Sequence, residues 1–274
     1  MVHDLSDAQT QLEREDSYFQ TVEELCDIAR QVFARHDFAI VGVSKKADRS
    51  PVTIVDQQVE IALREHLARK HPGDSIRGEE FGVDDETKAG TRARWILDPL
   101  DGTRAYATGS PMWGTLIGVL WDGEPWLGAI DLPAMNRRMI AGQVRAYCSY
   151  AEMKTSGCTA VDEARLCTTM PDKFTEAQRT SYRKLADAVS VYRYSGDCAN
   201  YAGLVAGHCD LVVESGLSPH DYLPMVPLIE RAGGIITDWD GRPLSESSAG
   251  HVLAGATPQL HALAKQILLG NSSC

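Results

Sequence analysis

The sequence predicts a mixed α/β protein, and three patterns along the chain support this. In the first third, apolar residues recur at steps of three and four, which is typical of amphipathic helices. In the middle, two apolar runs joined by Asp122–Pro125 indicate a β-hairpin in a mostly antiparallel sheet. From about Ala141, helical segments alternate with single apolar strands, as in α/β proteins. The length of 274 residues allows one domain or two tightly fused halves, and we expect a single domain, 1–274, with an N-terminal half (1–140) and a C-terminal half (141–274).

Two helices and a short strand are predicted in the N-terminal half. The first helix ends at His36-Asp37, and its apolar face carries Tyr18, Val22, Leu25 and Ala29. The second begins near Thr53 and stops at His71-Pro72-Gly73, and its apolar face carries Val55, Val59, Leu63 and Leu67. The apolar strand Trp95–Leu97 follows and ends abruptly at Asp98-Pro99.

The remaining elements follow from similar signals. The predicted strands are Thr115–Trp121 and Trp126–Ile130 in the hairpin, then Asp210–Glu214, Ile235–Thr237 and His251–Ala254. The final helix has Thr257 as its N-cap and Pro258 at its first position. Tyr150–Asp162 is typical of a loop, and its sequence fits a lid and an ordinary surface loop equally well.

Composition excludes several classes of protein. Apolar residues make up 43% and charged residues 24%, which is ordinary for a globular chain. No apolar run approaches the ~20 residues that span a bilayer, and Met1–Glu15 is acidic and unlike a secretory signal. We therefore expect a cytoplasmic protein without a membrane partner. The seven cysteines form an odd set with no Cys-x-x-Cys pair, so reduced and mostly buried thiols are expected.

The most informative motif is Trp95–Thr103, in which Asp98 and Asp101 follow a buried strand. Gly102 would let the backbone approach a ligand, and a helical turn after it would aim the N–H groups of Gly102 and Thr103 at an anion. A metal on the carboxylates and amides opposite it would then bracket one phosphate group. For an isolated Asp-x-x-Asp-Gly, aspartates that merely cap a helix are an equal alternative.

Three further motifs add carboxylates. Gly78–Gly82 contains Glu79, whose hard oxygens are ligands of the kind that Mg²⁺ prefers, although glutamate pairs on surface loops are usually just solvated. Asp56 lies in the first turn of the second helix, where a capping-box role is the alternative. Asp221, at the end of Glu214–Asp221, would stand at the mouth of a helix, where capping is again the alternative.

The net charge of −11 constrains the partner. It disfavours nucleic acid, because polyanion binding depends on Lys and Arg neutralising phosphates. An acidic protein that handles a phosphate group needs a local positive field, and metal ions bound by its own carboxylates supply one. The four acidic motifs therefore favour a metal-dependent site for a small phosphorylated metabolite.

These residues together resemble the inositol monophosphatase family of Mg²⁺-dependent, lithium-sensitive phosphatases, from about Val22 to Leu268. Trp95–Thr103 is similar to the first family signature, and Asp221 through Gly233-Gly234 to the second. The resemblance implies a layered α-β-α-β-α sandwich of the inositol monophosphatase and fructose bisphosphatase type. It also implies a phosphoric monoester hydrolase that is usually a homodimer.

The resemblance assigns roles to individual residues, with two or three Mg²⁺ ions in each active site. The implied metal ligands are Glu79, Asp98 and the Leu100 carbonyl for one ion, Asp98, Asp101 and Asp221 for another, and Asp56 and Glu79 for a looser third. The implied catalytic residues are Thr103, Asp56 and Glu79, with Thr103 and Asp56 orienting the water that attacks phosphorus directly. The implied substrate-binding residues are Leu100, Asp101, Gly102, Thr103, Asp197, Glu214 and Asp221.

Two departures from the family pattern concern the substrate pocket. His220 stands where the family commonly has Trp, and we expect it to shape the pocket wall rather than to catalyse. Pro227 lies inside the predicted helix after Asp221 and should bend or restart it, because proline lacks a main-chain donor. Pro224, in the first turn, costs little.

Several segments resemble the histidinol-phosphate phosphatases of this superfamily, which act in histidine biosynthesis. These segments are Lys46–Thr53, Gly78–Gly82, Ser195–Cys198 and Asp210–Leu217. Carboxylates of Asp197 and Glu214 would suit the ammonium and imidazole groups of histidinol phosphate. Glu214 could equally accept from inositol hydroxyls, and Asp197 could be an ordinary helix cap. An inositol or broad sugar-phosphate phosphatase is therefore the alternative, and a non-catalytic metal-binding relative is a third.

Overall fold

The computed structural model describes residues 2–36, 43–45, 51–84 and 91–270. The described α-helices are α1 (Val2–Phe33), α2 (Ile54–Lys70), α3 (Thr103–Ala107), α4 (Glu176–Ala188), α5 (Cys198–Val205), α6 (Pro219–Tyr222), α7 (Met225–Arg231) and α8 (Pro258–Leu268). The described strands up to the middle of the chain are β1 (Val43–Lys45), β2 (Pro51–Thr53), β3 (Ser75–Gly78), β4 (Gly82–Val83), β5 (Ala93–Asp101), β6 (Gly114–Trp121), β7 (Glu124–Leu132), β8 (Arg137–Ala141) and β9 (Ala146–Cys148). The later strands are β10 (Arg165–Thr168), β11 (Val191–Tyr194), β12 (Leu211–Glu214), β13 (Ile235–Asp238) and β14 (Val252–Gly255).

Two sheets divide the molecule between its N- and C-terminal halves. The first has the order β4-β3-β5-β6-β7-β8-β9 and is antiparallel except where β3 runs parallel to β5. The second has the order β11-β10-β12-β14-β13, parallel across β11, β10 and β12 and antiparallel beyond. A separate pair joins β1 to β2. The mostly antiparallel N-terminal sheet and the α/β C-terminal half are both confirmed.

Three hydrophobic clusters separate five layers. The first cluster lies between α1, α2 and one face of the first sheet. The second fills the space between the two sheets, where α5, α6 and α7 lie. The third lies between the second sheet and the outer helices α4 and α8. The α-β-α-β-α sandwich expected from the sequence is therefore confirmed.

Local sequence signals explain where several elements begin and end. Thr53 caps α2 and forms a capping box with Asp56, and Thr257 caps α8. Asp122 and Gly123 both have positive φ, at 52° and 87°, so the hairpin turn has the twist that suits its two strands. The helix predicted after Asp221 is interrupted after Tyr222 and restarts at Met225, which agrees with the restart expected from Pro227. Pro227 lies in the first turn of α7, and Pro224, which was expected to cost little, lies at the interruption.

The remaining predictions concern the loop Tyr150–Asp162, the cysteines and membrane-spanning helices. Tyr150–Asp162 contains no helix or strand, as expected for a loop. The described cysteines are free and mostly buried. No described helix is both long and apolar enough to cross a membrane. Lys46–Ser50 and the C-terminal Cys274 lie outside the described residues, as does Asp37.

Candidate active site

One cavity of about 390 Å³ collects most of the residues singled out from the sequence. Its lining includes Glu79, Asp98, Leu100, Asp101, Gly102, Thr103, Asp197 and Asp221. Asp56 and Glu214 are absent from this lining, although Glu214 lines a smaller adjoining cavity of about 80 Å³. The two cavities adjoin, because they share Asp101, Arg104, Lys173, Asp197 and Asp221, and together we call them the depression.

The end of β5 brings Asp98 into this cavity. Alternate residues of a strand face opposite sides, so Trp95 and Leu97 pack towards α1 and α2 while Ile96 packs towards the middle layer. Asp98 shares the face of Ile96, and the pairing of β5 with β6 shifts register between Asp98 and Asp101. This irregularity lies within β5, which continues to Asp101 instead of ending at Asp98-Pro99 as predicted. It lets both aspartates line the same cavity.

Gly102 makes the tight turn that follows β5. Its φ is 83°, a left-handed conformation that glycine adopts without a steric penalty. A side chain here would also place its Cβ 2.9 Å from the carbonyl oxygen of Met112. The turn leads directly into α3, so Gly102 and Thr103 lie at the start of a short helix beside the carboxylates.

Asp56 both caps helix α2 and contacts Thr103. Its Oδ2 accepts hydrogen bonds from Thr53 N–H at 2.9 Å and from Thr53 Oγ1 at 2.6 Å, which is the capping box considered as the alternative role. Its Oδ1 lies 3.3 Å from the Thr103 hydroxyl, which is also 3.1 Å from Leu100 O. Capping therefore holds the carboxylate in place while its other oxygen faces Thr103.

Asp221 combines capping with a place in the cavity in the same way. It is the third residue of α6, and its Oδ2 accepts from Ser218 N–H at 2.6 Å. The neighbouring His220 lines the cavity, as expected, and its Nε2 is 3.7 Å from Asp221 Oδ1. Both capping alternatives raised for Asp56 and Asp221 are thus confirmed, and neither removes the residue from the cluster.

Four carboxylates and His220 form two trios that could each hold a metal ion. Ligand atoms of Asp98, Asp101 and Asp221 lie within 4.8 Å of one another, and so do those of Glu79, Asp98 and His220. Asp98 belongs to both trios. The donor set fits Mg²⁺, because carboxylate oxygens are the hard ligands that this ion prefers. The structure thus brings together Glu79, Asp98, Asp101 and Asp221, and it adds a His220 nitrogen that sequence reasoning had placed only on the pocket wall. Asp56, predicted as a ligand of a looser third ion, lies outside both trios, and its role as a ligand stays a prediction.

Burial and mutual repulsion dominate the electrostatics of this cluster. Burial, reinforced by Glu79 and Asp101, raises the pKa of Asp98 well above its ordinary value. Burial also raises the pKa of Asp101, with Asp197 and Asp221 adding to the effect. Burial raises the pKa of Asp56 as well, against the opposing hydrogen bonds from Thr53. A divalent cation among these oxygens would offset the repulsion and favour their ionised forms.

A tight turn carries Asp197 to the cavity. Ser195, Gly196 and Asp197 all have positive φ, at 69°, 135° and 46°, which is uncommon for residues other than glycine. The next amide, Cys198 N–H, donates to Asp101 Oδ2 at 2.6 Å and ties the turn to the cluster. Asp197 occupies the N-cap position of α5 but makes no capping hydrogen bond through its side chain. Its interpretation as an ordinary helix cap is therefore wrong, because this backbone conformation directs the carboxylate to the cavity instead.

Glu214 is a buried carboxylate at the end of β12. It accepts from Thr169 N–H and from Thr169 Oγ1, both at 2.7 Å, and its other oxygen is 3.3 Å from Thr168 Oγ1. Burial raises its pKa to about 7 despite these hydrogen bonds. Burial likewise raises the pKa of Asp197 to about 6, while Lys173 and Arg104 act in the opposite direction. Both carboxylates line the smaller cavity.

Two basic residues of the site were missed from the sequence. Arg104 directly follows the signature residue Thr103, so its position in the motif was an available signal. Lys173 ends the short 3₁₀ turn Pro171–Lys173, and no local pattern marked it. Both line the large and small cavities. The depression therefore contains cationic as well as acidic side chains.

Comparison with known proteins identifies the family of the chain. A model of the inositol monophosphatase family matches residues 13–269. The chain belongs to the inositol monophosphatase family. Family membership, expected from the two signatures, is confirmed, and with it the coarse classification among metal-dependent phosphatases.

Individual members of the family give a finer comparison. The chain is 40% identical to the chloroplastic bifunctional phosphatase IMPL2 of Arabidopsis thaliana over 219 residues, which cover 80% of this chain and 63% of that relative. It is 33% identical to the histidinol-phosphatase of Mycobacterium tuberculosis over 206 residues, which cover 73% of this chain and 78% of that one. Among solved structures, an inositol monophosphatase from Zymomonas mobilis has a TM-score of 0.84 and 35% identity, covering 93% of this chain and 98% of its own.

Proposed function

We propose that this inositol monophosphatase family member is a Mg²⁺-dependent phosphomonoesterase. The observation that carries the proposal is the pair of trios that share Asp98 at the end of β5. Glu79, Asp98, Asp101, Asp221 and the Leu100 carbonyl would hold the ions. When bound, Mg²⁺ would acidify a coordinated water and stabilise negative charge on the phosphoryl and leaving oxygens.

The protein's own residues would orient the reaction. The Thr103 hydroxyl lies between Asp56 Oδ1 and Leu100 O, so Thr103 and Asp56 can hold the attacking water and direct its protons. The N–H groups of Gly102 and Thr103, at the start of α3, would donate to the phosphate oxygens. Direct attack by water needs no covalent phosphoenzyme.

The substrate that we propose is histidinol phosphate, converted with water to histidinol and phosphate. Asp197 and Glu214 line the depression beside the metal cluster and would accept charge-assisted hydrogen bonds from the ammonium and imidazole groups. The similarity to a histidinol-phosphatase supports the same choice. Lys173 and Arg104 line the same depression, so selectivity has to come from the positions of the two carboxylates rather than from net charge.

An inositol or broad sugar-phosphate phosphatase is the alternative, and one observation favours it. With a pKa of about 7, Glu214 is protonated in a large fraction of molecules near neutral pH and could then exchange hydrogen bonds with neutral hydroxyls. A non-catalytic metal-binding relative is less well supported, because it would have no need for the contact between Thr103 and Asp56.

Kinetics with two substrates tests the proposal. We expect kcat/KM for histidinol phosphate to be at least ~10-fold above that for inositol 1-phosphate, which corresponds to about 1.4 kcal/mol in transition-state binding. Asp197→Asn should reduce this ratio by harming the cationic substrate while leaving inositol phosphate hydrolysis nearly intact. Asp187→Asn, which changes an exposed carboxylate on α4, is the charge-matched control.

The possible outcomes separate the candidates. Equal losses on both substrates in Asp197→Asn would mean that Asp197 supports the fold or the metals. A wild-type preference for inositol phosphate would refute the histidinol assignment and leave the phosphatase mechanism standing. The homodimer, the cytoplasmic location, the single domain and the number of ions stay predictions from the sequence.

A further inference from the structure

Glu60 is a fully buried carboxylate outside the residues assigned so far. It lies on α2, one helical turn after Asp56. Its Oε2 accepts from Glu80 N–H at 2.7 Å, and its Oε1 accepts from Phe81 N–H at 3.3 Å and from Arg64 Nε at 2.8 Å. A single side chain of α2 thus binds two consecutive amides of the turn that carries Glu79.

The absence of a side chain at Gly78 makes this contact possible. A Cβ at Gly78 would lie 1.9 Å from Glu60 Oε1, far inside any allowed distance. Arg64 extends the same contact, because its Nη2 donates to the carbonyl oxygen of Gly82 at 2.5 Å. Glu60 and Arg64 therefore bind the backbone of three consecutive residues, from Glu80 to Gly82.

The backbone amide of Glu79 itself is bound by strand β5, not by helix α2. Glu79 N–H donates to Leu97 O at 3.0 Å, next to Asp98 on β5. Three consecutive amides, from Glu79 to Phe81, are thus fixed by the strand that carries Asp98 and by the helix that carries Asp56. The backbone of Glu79 has no freedom to shift relative to either element unless one of these hydrogen bonds breaks.

We propose that Glu60 is a positioning residue that sets the metal affinity of the site by fixing Glu79 relative to Asp98. The proposal rests on the metal site of the proposed function. Mg²⁺ and Mn²⁺ require close to octahedral geometry with short bonds to oxygen, so a small displacement of one ligand weakens binding. Groups that orient metal ligands typically change affinity 10- to 100-fold when they are replaced.

The chain contains a matched control for this arrangement. Glu15 on α1 is also fully buried, and its Oε1 accepts from the consecutive amides of Val144 and Arg145, each at 2.8 Å. A Cβ at Gly142 would lie 2.6 Å from the same oxygen. This second helix glutamate also binds two consecutive amides of a glycine-containing turn, although with one oxygen instead of two, and its turn carries no candidate metal ligand.

The test is Mn²⁺ binding by the full chain without substrate, followed through the electron paramagnetic resonance signal of the free ion. We expect Glu60→Gln to weaken Mn²⁺ binding at least ~10-fold. The glutamine side chain has only one acceptor oxygen, so it cannot replace both carboxylate oxygens that accept from Glu80 N–H and Phe81 N–H. Glu15→Gln should change the affinity less than about twofold. In a Glu79→Gln background, Glu60→Gln should have no further effect on affinity, since it acts through Glu79.

Wild-type Mn²⁺ affinity in Glu60→Gln, or equal losses in the Glu60 and Glu15 variants, would overturn the proposal. If Glu60→Gln does not fold, Gly78→Ala provides the same test, because its Cβ must displace the Glu60 carboxylate. The binding measurement is independent of substrate, so an error in the histidinol assignment leaves its result unchanged. Failure of the wild-type chain to bind Mn²⁺ would instead reject the metal mechanism together with this role.

Discussion

Glu214 should make the protein less stable as the pH rises from about 4.5 to 7. Its carboxyl is buried at the end of β12, and burial raises its pKa from an ordinary value of 4.5 to about 7. In the unfolded chain Glu214 would lose its proton at a lower pH, near its ordinary pKa of 4.5. Between these two pH values the folded state therefore holds the extra proton, and the free energy of unfolding falls as the pH increases.

The size of the effect follows from the two pKa values. At about 1.4 kcal/mol for each tenfold change in proton affinity, Glu214 should cost about 3 kcal/mol of stability above pH 7 and nothing below about pH 4. Glu214→Gln removes the ionisation while keeping the shape of the side chain. Its stability should therefore equal or exceed that of the wild type above pH 7, and the difference should vanish or reverse at pH 4.5.

Urea unfolding at several pH values between 4.5 and 8 measures this difference. Glu124→Gln, at the exposed start of β7, controls for the loss of one negative charge. The reasoning would be refuted if Glu214→Gln lost the same free energy at pH 4.5 and pH 8. That result would mean that Glu214 ionises in the folded protein with an ordinary pKa, supported by its hydrogen bonds from Thr168 and Thr169.

Two further predictions concern the reaction itself. Excess chelator should abolish turnover while the circular dichroism spectrum persists, and added Mg²⁺ should restore activity; full turnover in the chelator would exclude a metal mechanism. Thr103→Val should lower kcat about 100-fold with little change in Mn²⁺ affinity, because Asp56 keeps both hydrogen bonds to Thr53. Its unfolding free energy should fall by only about 1 kcal/mol, and a kcat within threefold of wild type would remove Thr103 from the mechanism.

Local chemistry made many elements predictable from the sequence. Helix α2 begins after Thr53 because the Thr53 hydroxyl and the Asp56 carboxylate satisfy its first amides. The hairpin between β6 and β7 forms because Asp122 and Gly123 adopt the positive φ values that its turn requires. Such signals depend on residues only a few positions apart. The five layers, by contrast, were expected from the family resemblance.

The site was predictable only as far as its motifs could be recognised. The carboxylates of Asp98, Asp101 and Asp221 were named from the sequence, and the structure brings them within 4.8 Å of one another. Lys173 was missed because it belongs to no motif and reaches the cavity only through the packing of its turn. Glu60 was missed because its partners, the amides of Glu80 and Phe81, carry no signal in their side chains.

The sequence by itself determined several of the helices and strands, the acidic motifs and the family. Only the tertiary structure decided which carboxylates share a cavity and what holds them there. Thr103 meets Asp56 across 47 positions, and Cys198 meets Asp101 across 97. Contacts at such separations depend on how β5, α2 and α5 pack together, because propensity and periodicity act only between near neighbours in the chain.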